Sequence, residues 1–577
     1  MEFLKTNYKK HPFVSAFLFW LYFLLAFGRY EVYKAAPINY LSPLLFGVIL
    51  LLLEKRHISG AQTEKETAKR KLIQTASAIG AVTVYVEAMI FSVFDFHPFP
   101  GSVERNIFMF IFPALALCVF AALFITVKKK WTIDKAAVLL VASGFVIQIF
   151  YSMYGQTYQY DVEGHLNYIN WLYNHYLPMQ SNPSAVWQFY HPPLHHYICA
   201  AYMHIHRLFS TQAPNLEYIP RLYSLMSLVV MYKLTGELGI KGKPRLLTLT
   251  LLTFSPALIA IGGYKNNDML SVFFLMLSVY LSVKWYKKRT VKNIVKVAAA
   301  FGLGMLTKLS VWMAAVPIAV LFVAALVETL TARDKKQFGK TFGMMCVFML
   351  IAAPLSLYWS LRNYFRFGMS LGFIPESINP DQEIHQSISQ RLFDFSPFQY
   401  TRYPWLCKMG GDHNDPYNEY NPLIALIKSS AQGYKPAVSV EHQLAPFMWI
   451  ALYITALLSL ISLVCFIYII IKKGTISGIY KLSVSGLFAV VFVSYYIFCI
   501  RYPQACTEEI RYAFPLVYVG ALSAGAAAQQ LKKKNSPFGR GAAYCLYGSA
   551  GLYSAAVTAK CIAEYLLLRQ IAGAGFN

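Results

Sequence analysis

The chain has 577 residues, of which 57% are hydrophobic and 14% are charged, and its formal net charge is +25. A soluble domain carries about 25% charged residues and lacks successive apolar runs of roughly twenty residues, so this composition excludes a soluble globular protein. The positive charge does not indicate nucleic-acid binding, because the Lys and Arg residues lie in short segments between the apolar runs and not in one basic domain.

Fifteen apolar runs follow one another along the chain, most of them close to the length that a helix needs to cross the hydrocarbon core of a bilayer. We therefore predict an all-α polytopic membrane protein with about fifteen transmembrane helices. The runs lie near residues 12–28, 39–53, 72–94, 105–127, 136–152, 220–238, 246–262, 269–284, 293–307, 311–328, 342–360, 446–471, 481–500, 511–530 and 541–568.

Basic residues indicate on which side of the membrane each connecting loop lies. Short cytoplasmic loops are enriched in Lys and Arg, so this pattern predicts a cytoplasmic N-terminus in a multi-pass protein of the cell membrane. The segment from His196 to Leu208 is too short for a span, and counting it as one would invert every later loop, so we predict an interfacial helix there. The basic clusters lie in residues 54–71, 128–130, 241–245, 287–289, 333–340, 472–473 and 532–540.

Two long segments then lie outside the cytoplasm, at residues 151–220 and 361–446. The second is too long to be a simple connection, and we predict that it forms a small ordered subdomain over the membrane surface. The outer face therefore collects charged and imidazole side chains from several parts of the chain.

The first outer segment contains the sequence Tyr160, Asp161, Val162, Glu163, Gly164 and His165 soon after a span ends. A carboxylate at this depth can act as a general base on a group presented at the head-group level, or it can bind a cation. The alternative for Asp161 is a solvated loop acid.

Histidines are concentrated further along the same segment. Tyr190, His191, Pro192, Pro193 and Leu194 precede His195 and His196, and the two prolines favour an extended turn. Together with His165, these imidazoles could bind a divalent metal ion. Hydrogen bonding at a buried interface is the alternative.

Charged residues also occur at the outer ends of later spans. Lys265 and Asp268 lie before one span, and Lys308 lies between two others. Such residues either line a polar cavity or have structural roles, as a helix N-cap for Asp268 and as a side chain that reaches water for Lys308.

Two arginines at the outer membrane surface break the charge rule. Arg362 begins the large outer segment, and Arg511 precedes a late span. A guanidinium group matches the oxygens of a phosphate, so we predict anion binding at these positions. An ion pair from Arg511 to Glu508 is the competing interpretation.

Taken in chain order, these segments resemble the membrane glycosyltransferases with the C-type fold, in the branch that contains protein O-mannosyltransferases and the aminoarabinose transferases of lipid A. The usual adjacent acidic pair of that family is separated here by Val162, which leaves open which carboxylate is the base. The segments that carry the resemblance are Tyr160–His165, Tyr190–Leu194, Asp268, Gly302–Lys308, Trp359–Tyr364 and Arg511–Pro515.

The resemblance also implies a domain organisation. A seven-span catalytic module that includes the outer loop 151–220 is expected, and the extra spans before it have no counterpart in the family. The predicted regions are four extra spans in residues 1–135, the module in residues 136–360, the outer subdomain in residues 361–446 and C-terminal spans in residues 447–577.

The resemblance implies transfer of a sugar, with inversion, from a polyprenyl-phosphate-linked donor to an extracytoplasmic acceptor hydroxyl on a protein, lipid or wall polymer. A transporter or flippase of a lipid-linked glycan is the alternative function. The expected roles are catalysis by Asp161 and Glu163, phosphate binding by Arg511, Arg362, Lys265 and Lys308, and formation of the substrate pocket by His165, Tyr190, His191, His195, Asp268 and Tyr512. No resident cofactor is assigned beyond the possible divalent metal.

Overall fold

The computed structural model describes residues 132–154, 161–207, 214–374, 383–395, 420–432, 441–474, 476–533 and 536–574. Within these ranges the chain forms helices and no β-strand, with a single antiparallel bridge between Glu383 and Gln504. The prediction of an all-α multi-pass membrane protein is confirmed. The four spans predicted before residue 130 lie outside the described residues.

The chain divides into two compact units. The larger unit consists of Trp131–Cys199 and Leu216–Asn577, and the smaller one consists of Met1–Lys130 and Ala200–Asn215. All of the predicted site residues belong to the larger unit.

Sixteen α-helices occur in the described residues. Short 3₁₀ turns also occur, among them Leu309–Ala314 and Ile510–Tyr512. The helices are α1 (Ile133–Tyr154), α2 (Val162–His175), α3 (Leu194–Arg207), α4 (Tyr218–Glu237), α5 (Lys243–Thr253), α6 (Pro256–Ile261), α7 (Asp268–Lys287), α8 (Val291–Met305), α9 (Ala315–Thr331), α10 (Lys335–Phe367), α11 (Ile388–Phe393), α12 (Pro422–Gln432), α13 (Glu441–Ile471), α14 (Gly478–Arg501), α15 (Pro515–Lys533) and α16 (Pro537–Ala574).

Five of the described segments are long and apolar enough to cross a membrane. Each overlaps a predicted apolar run, whereas the total of fifteen spans stays a prediction. The five segments are Asp268–Lys287, Leu309–Thr331, Lys335–Phe367, Tyr453–Ile471 and Gly478–Arg501.

Two predicted spans differ from the helices that the chain forms. The run 246–262 is broken into α5 and α6, because Pro256 lacks an amide hydrogen and its ring obstructs a continuous helix. The Ser255 hydroxyl accepts a hydrogen bond from the Leu258 amide at 3.4 Å and caps α6. The run 511–530 becomes helical only at Pro515, so Arg511 lies on the preceding 3₁₀ turn and not within a span.

The interfacial helix predicted from His196 to Leu208 corresponds closely to α3. This helix begins at Leu194, immediately after the two prolines, and ends at Arg207. Its helical conformation agrees with the prediction, and its place at the membrane surface stays a prediction.

Helix α7 occupies the centre of the described bundle. It packs against α4, α8 and α9, and 72% of its apolar stretch is buried inside the protein. A helix that is apolar all round is buried in a protein core or spans a membrane, and the burial of α7 by its neighbours indicates a central position among the spans. This packing places Asp268, the first residue of α7, inside the bundle near one end.

Helices α8 and α10 approach each other closely at Gly302. A Cβ atom added at this glycine would lie 2.6 Å from the Cβ atom of Leu355. Small residues permit such close contact between membrane helices, where van der Waals packing contributes much of the association energy. The close approach of α10 therefore explains why a glycine occupies position 302, within the segment Gly302–Lys308.

We expect Gly302→Ala to destabilise the folded protein by about 1–3 kcal/mol, because the added methyl group forces α8 and α10 apart. Thermal unfolding of the purified protein in detergent measures the effect. Gly339→Ala on α10 is the matched control, since a Cβ atom there meets nothing within 4 Å. Equal melting temperatures for the two variants would contradict the packing role.

Candidate active site

Asp161 has an unusual backbone conformation at the start of α2. Its φ of 64° and ψ of 3° lie in the left-handed region, which residues other than glycine adopt infrequently. An aspartate at a helix N-cap commonly accepts a hydrogen bond from the first turn, but this side chain makes no such bond. Its Oδ2 atom instead accepts a hydrogen bond from Nη1 of Arg511 at 3.1 Å, across 350 residues of sequence.

Arg511 is held between two carboxyl groups. Besides its contact with Asp161, its Nε atom lies 2.8 Å from Oε2 of Glu509. The arginine side chain is only 5% exposed, whereas that of Asp161 is 23% exposed. The cation is therefore buried, and the aspartate keeps access to solvent or to a ligand.

The ion pair between Arg511 and Glu508, the alternative to anion binding, is not the one that orients this arginine. Glu509 supplies the carboxyl group at its Nε atom, and Oε1 of Glu508 lies 2.7 Å from Nη2 of Arg391. Adjacent glutamates thus point to different partners. A sequence pattern does not distinguish them, because the 3₁₀ turn determines where each side chain points.

Asp268 and Lys308 form a second ion pair. Lys308 donates a hydrogen bond to Oδ1 of Asp268, and the side chain of Asn266 donates one to Oδ2 at 2.9 Å. Asp268 is 4% exposed. Neither structural alternative therefore applies, because the carboxylate binds a lysine and not a helix terminus, and the ammonium group binds a carboxylate inside the protein.

Tyr512 lies between the two ion pairs. The guanidinium carbon of Arg511 lies 4.7 Å from the centre of the tyrosine ring, and the ammonium nitrogen of Lys308 lies 5.6 Å from it. Both distances suit cation–π attraction. Asp161, Asp268, Lys308, Glu509 and Arg511 are called the charge cluster below.

The charge cluster contains three carboxyl groups and two cations, so its net charge is −1 when every group is ionised. Burial raises the pKa of Glu509 to about 7, with a further contribution from Asp161 and Asp268 and an opposing one from Arg511. At neutral pH a proton on Glu509 therefore brings the cluster close to neutrality. Sequence reasoning missed Glu509, although its position two residues before Arg511 was the available signal.

Four buried or half-buried histidines form one wall beside the charge cluster. Nδ1 of His165 and Nε2 of His196 are hydrogen-bonded at 2.8 Å, and the rings of His165 and His191 stack with centres 5.8 Å apart. Burial lowers the pKa of all four, that of His195 to about 3. These imidazoles are neutral at pH 7 and supply hydrogen bonds and packing, not charge.

The ring arrangement agrees with the interface alternative. Within the described residues, no group of three or more His, Cys, Asp or Glu side chains is arranged to hold a metal ion. The rings of His165 and His196 stack with centres 5.1 Å apart. Imidazoles that bind one metal ion would instead point their nitrogen atoms at a common position.

Tyr190 connects this wall to helix α10. Its ring centre lies 4.4 Å from that of His191, and its carbonyl oxygen accepts a hydrogen bond from Nε1 of Trp359 at 2.8 Å. Burial raises the pKa of Tyr190, and the charge of Asp161 raises it further. Tyr190 therefore lies between the histidines and the charge cluster.

Three of the predicted site residues have no contact with the charge cluster among the interactions described. Two of them bind other partners, and the third is exposed. Lys265 forms an ion pair with Glu217 at 3.3 Å. Arg362 donates hydrogen bonds to the carbonyl oxygen of Met179 and, at 2.7 Å, to Oδ1 of Asn363. Glu163 is exposed on the first turn of α2, without a hydrogen bond or ion pair to the part of the chain that the structure describes.

Residues 190–359 match the family model described as Dolichyl-phosphate-mannose-protein mannosyltransferase. The match confirms the predicted resemblance to the protein O-mannosyltransferases. Its two end residues, Tyr190 and Trp359, are the pair joined by the hydrogen bond described above. Asp268 and Lys308 lie within the matched range, and Asp161 and Arg511 lie outside it.

Several solved structures are similar to this chain, among them the following three. The S. cerevisiae protein O-mannosyltransferase Pmt1-Pmt2 complex bound to the sugar donor has 11% identity and a TM-score of 0.43, covering 74% of this chain and 89% of that chain. ArnT from Cupriavidus metallidurans in the apo state has 16% identity and a TM-score of 0.32, covering 69% and 80%. The same protein bound to undecaprenyl phosphate has 14% identity and a TM-score of 0.31, covering 70% and 82%. No curated protein matches the chain.

We expect Glu509→Gln to remove a pH-dependent part of the stability. A buried carboxyl group whose pKa is raised from 4.5 to about 7 stabilises the fold fully below its unfolded pKa, and this contribution is lost as the pH rises through 7. The melting temperature of the wild type should therefore fall more steeply than that of the variant from about pH 5 to about pH 8.

Glu163→Gln is the control for this measurement. It removes an exposed carboxyl group in place of a buried one, so its melting temperature should follow the wild-type curve. Parallel curves for the wild type and Glu509→Gln would show that Glu509 does not titrate in this range.

Proposed function

We propose that this protein transfers a sugar from a polyprenyl-phosphate-linked donor to an acceptor hydroxyl outside the cytoplasm, with inversion at the anomeric carbon and with Asp161 as general base. The observation that carries the proposal is the contact between Asp161 and Arg511. It joins a partly accessible carboxylate to a buried guanidinium group beside a segment that matches a mannosyltransferase family.

A carboxylate at this position suits the activation of a hydroxyl group. An alcohol is a poor nucleophile, and a base that removes its proton as the new bond forms accelerates attack. The proton passes to Asp161, and the acceptor oxygen bonds to the anomeric carbon on the face opposite the phosphate. The bond from that carbon to the phosphate oxygen breaks, and polyprenyl phosphate leaves with the electron pair.

The cations suit the leaving group, whose negative charge grows as the bond breaks. Arg511 and Lys308 are both paired with carboxylates in the structure, so a donor phosphate competes with these partners. When the phosphate binds Arg511, the hydrogen bond to Asp161 is lost and this carboxylate becomes available as a base. Donor binding then prepares the site for catalysis.

Glu509 makes this exchange electrostatically favourable. Its pKa of about 7 allows it to take up a proton when an anion enters, which removes one of the charges that repel a phosphate. Arg511 can then bind the phosphate while Glu509 stays beside its Nε atom as a neutral group.

The remaining predicted roles follow from the contacts of each residue. We assign phosphate binding to Arg511 and Lys308, because both lie in the charge cluster around Tyr512. Lys265 contacts Glu217 instead, and Arg362 contacts Met179 and Asn363. The neutral groups beside the cluster are suited to line the pocket for the sugar and the acceptor. These groups are His165, Tyr190, His191, His195 and Tyr512.

The orientation of α7 supports an extracytoplasmic site. Asp268 begins this span, whereas Lys287 ends it and is followed by Lys288 and Arg289. Since basic clusters mark the cytoplasmic ends of spans, Asp268 and the charge cluster lie at the opposite, outer end.

Asp161→Asn should reduce sugar transfer by roughly 10²- to 10⁴-fold, because the amide cannot accept the proton. Binding of undecaprenyl phosphate should be unchanged or tighter, since the amide competes less strongly for Arg511. Transfer is measured in membranes containing the full chain, with radiolabelled polyprenyl-phosphate hexoses as donors. Binding is measured on the purified protein in nanodiscs.

Glu163→Gln decides between the two carboxylates of the first outer segment. Retention of transfer by this variant supports Asp161 as the base, and a loss equal to that of Asp161→Asn would move the role to Glu163. A transporter or flippase would instead tolerate Asp161→Asn, or would lose binding and lipid movement together. A structural subunit would tolerate loss of both Asp161 and Arg511.

A further inference from the structure

The turn that carries Arg511 is attached to the large outer segment through a buried ion pair. Arg391 on α11 is 1% exposed and Glu508 is fully buried. Nη2 of Arg391 lies 2.7 Å from Oε1 of Glu508 and 2.8 Å from the carbonyl oxygen of Cys499. One guanidinium group therefore joins the outer segment to the end of α14 and to the connection that follows it.

Further hydrogen bonds hold the same turn from a second piece of the outer segment. The single O–H of Tyr495, on α14, is shared between two carbonyl oxygens, that of Pro422 at 2.8 Å and that of Glu508 at 2.9 Å. The backbone amide of Ile510 donates to the hydroxyl of Ser429 at 2.9 Å. Both Pro422 and Ser429 belong to α12. Two helices of the outer segment, α11 and α12, therefore contact residues 508–510.

The two helices of the outer segment are also tied to each other. The side chain of Asn421, directly before α12, donates a hydrogen bond to the carbonyl oxygen of Asp394 at 2.9 Å, directly after α11. The amide of Ile384 donates to the carbonyl oxygen of Pro503 at 2.8 Å. The described parts of the outer segment thus form a connected support around the turn.

Only Glu509 and Ile510 separate the anchored Glu508 from Arg511. Glu509 contacts Arg511 directly, so the backbone position of this turn determines where both the guanidinium group and its carboxyl partner lie. A buried ion pair recovers its cost of desolvation only with good geometry, and its main benefit is frequently a defined arrangement. Misplacement of a binding group by about 1 Å can reduce an enzymatic rate by roughly 10²-fold.

We propose that Arg391 is a positioning residue for the reaction, which acts through Glu508 to hold Arg511 where it binds the donor phosphate. The outer segment is then part of the catalytic apparatus and not only a cover over the membrane surface. This inference rests on the proposed function, because it assigns to Arg511 the donor phosphate.

The decisive variant is the double substitution Arg391→Met and Glu508→Gln in the full chain. Replacing Arg391 alone would leave a buried carboxylate unpaired and could unfold the protein, whereas the double variant removes both charges at similar volume. We expect a melting temperature close to that of the wild type, with undecaprenyl phosphate bound roughly 10- to 100-fold more weakly. Arg391→Lys, which keeps a cation opposite Glu508, should bind more tightly than the double variant.

The matched control is Arg289→Met with Glu328→Gln. It removes an ion pair near the basic loop after α7, where the side-chain exposures are 15% and 53%. This control should keep wild-type binding of undecaprenyl phosphate and wild-type sugar transfer.

Arg511→Met distinguishes a failure of the positioning role of Arg391 from a failure of the proposed function. If this variant weakens binding but the stable double variant binds as tightly as the wild type, the positioning role of Arg391 is overturned and the proposed function stands. If Arg511→Met does not weaken binding, the proposed function fails and the positioning role fails with it. Weaker binding in both variants, with a normal control, supports both.

Discussion

The structure of the site depends on one cation being shared by two carboxyl groups. Arg511 is buried and contacts both Asp161 and Glu509, which come from segments at opposite ends of the described chain. Without them a guanidinium group at this depth would pay a large desolvation penalty, and without Arg511 the carboxyl groups would repel each other. The left-handed backbone of Asp161 fits this arrangement, because the side chain reaches Arg511 and does not cap α2.

Helix packing determines which charges meet at that cation. Helix α7 is mostly buried by its neighbours, and Asp268 at its first residue lies inside the bundle, next to the turn that carries Lys308. Close contact at Gly302 brings α8 and α10 together, and thereby influences the positions of Lys308, just after α8, and Trp359, within α10. The neutral histidines fill the adjoining space. The polar site is therefore a consequence of how apolar helices pack.

Sequence reasoning failed where side-chain direction depends on a turn. Glu509 was overlooked, and Glu508 was considered as an alternative partner of Arg511, because sequence spacing does not distinguish two adjacent glutamates just before the 3₁₀ turn at Ile510–Tyr512. Lys265 and Arg362 were predicted to bind phosphate from their charge alone, and the structure shows that Lys265 contacts Glu217 and that Arg362 contacts the carbonyl oxygen of Met179. The break at Pro256 was missed because hydropathy averages over the proline.

The sequence by itself determined the helical membrane architecture, the positions of most described helices and the residue types of the site. These properties follow from apolar run length and loop charge, which are local quantities. Only the tertiary structure decided which carboxyl group faces which cation and that α11 contacts the connection carrying Arg511. Such pairings join residues up to 350 positions apart, and their energies depend on distances and burial that exist only after the helices have packed.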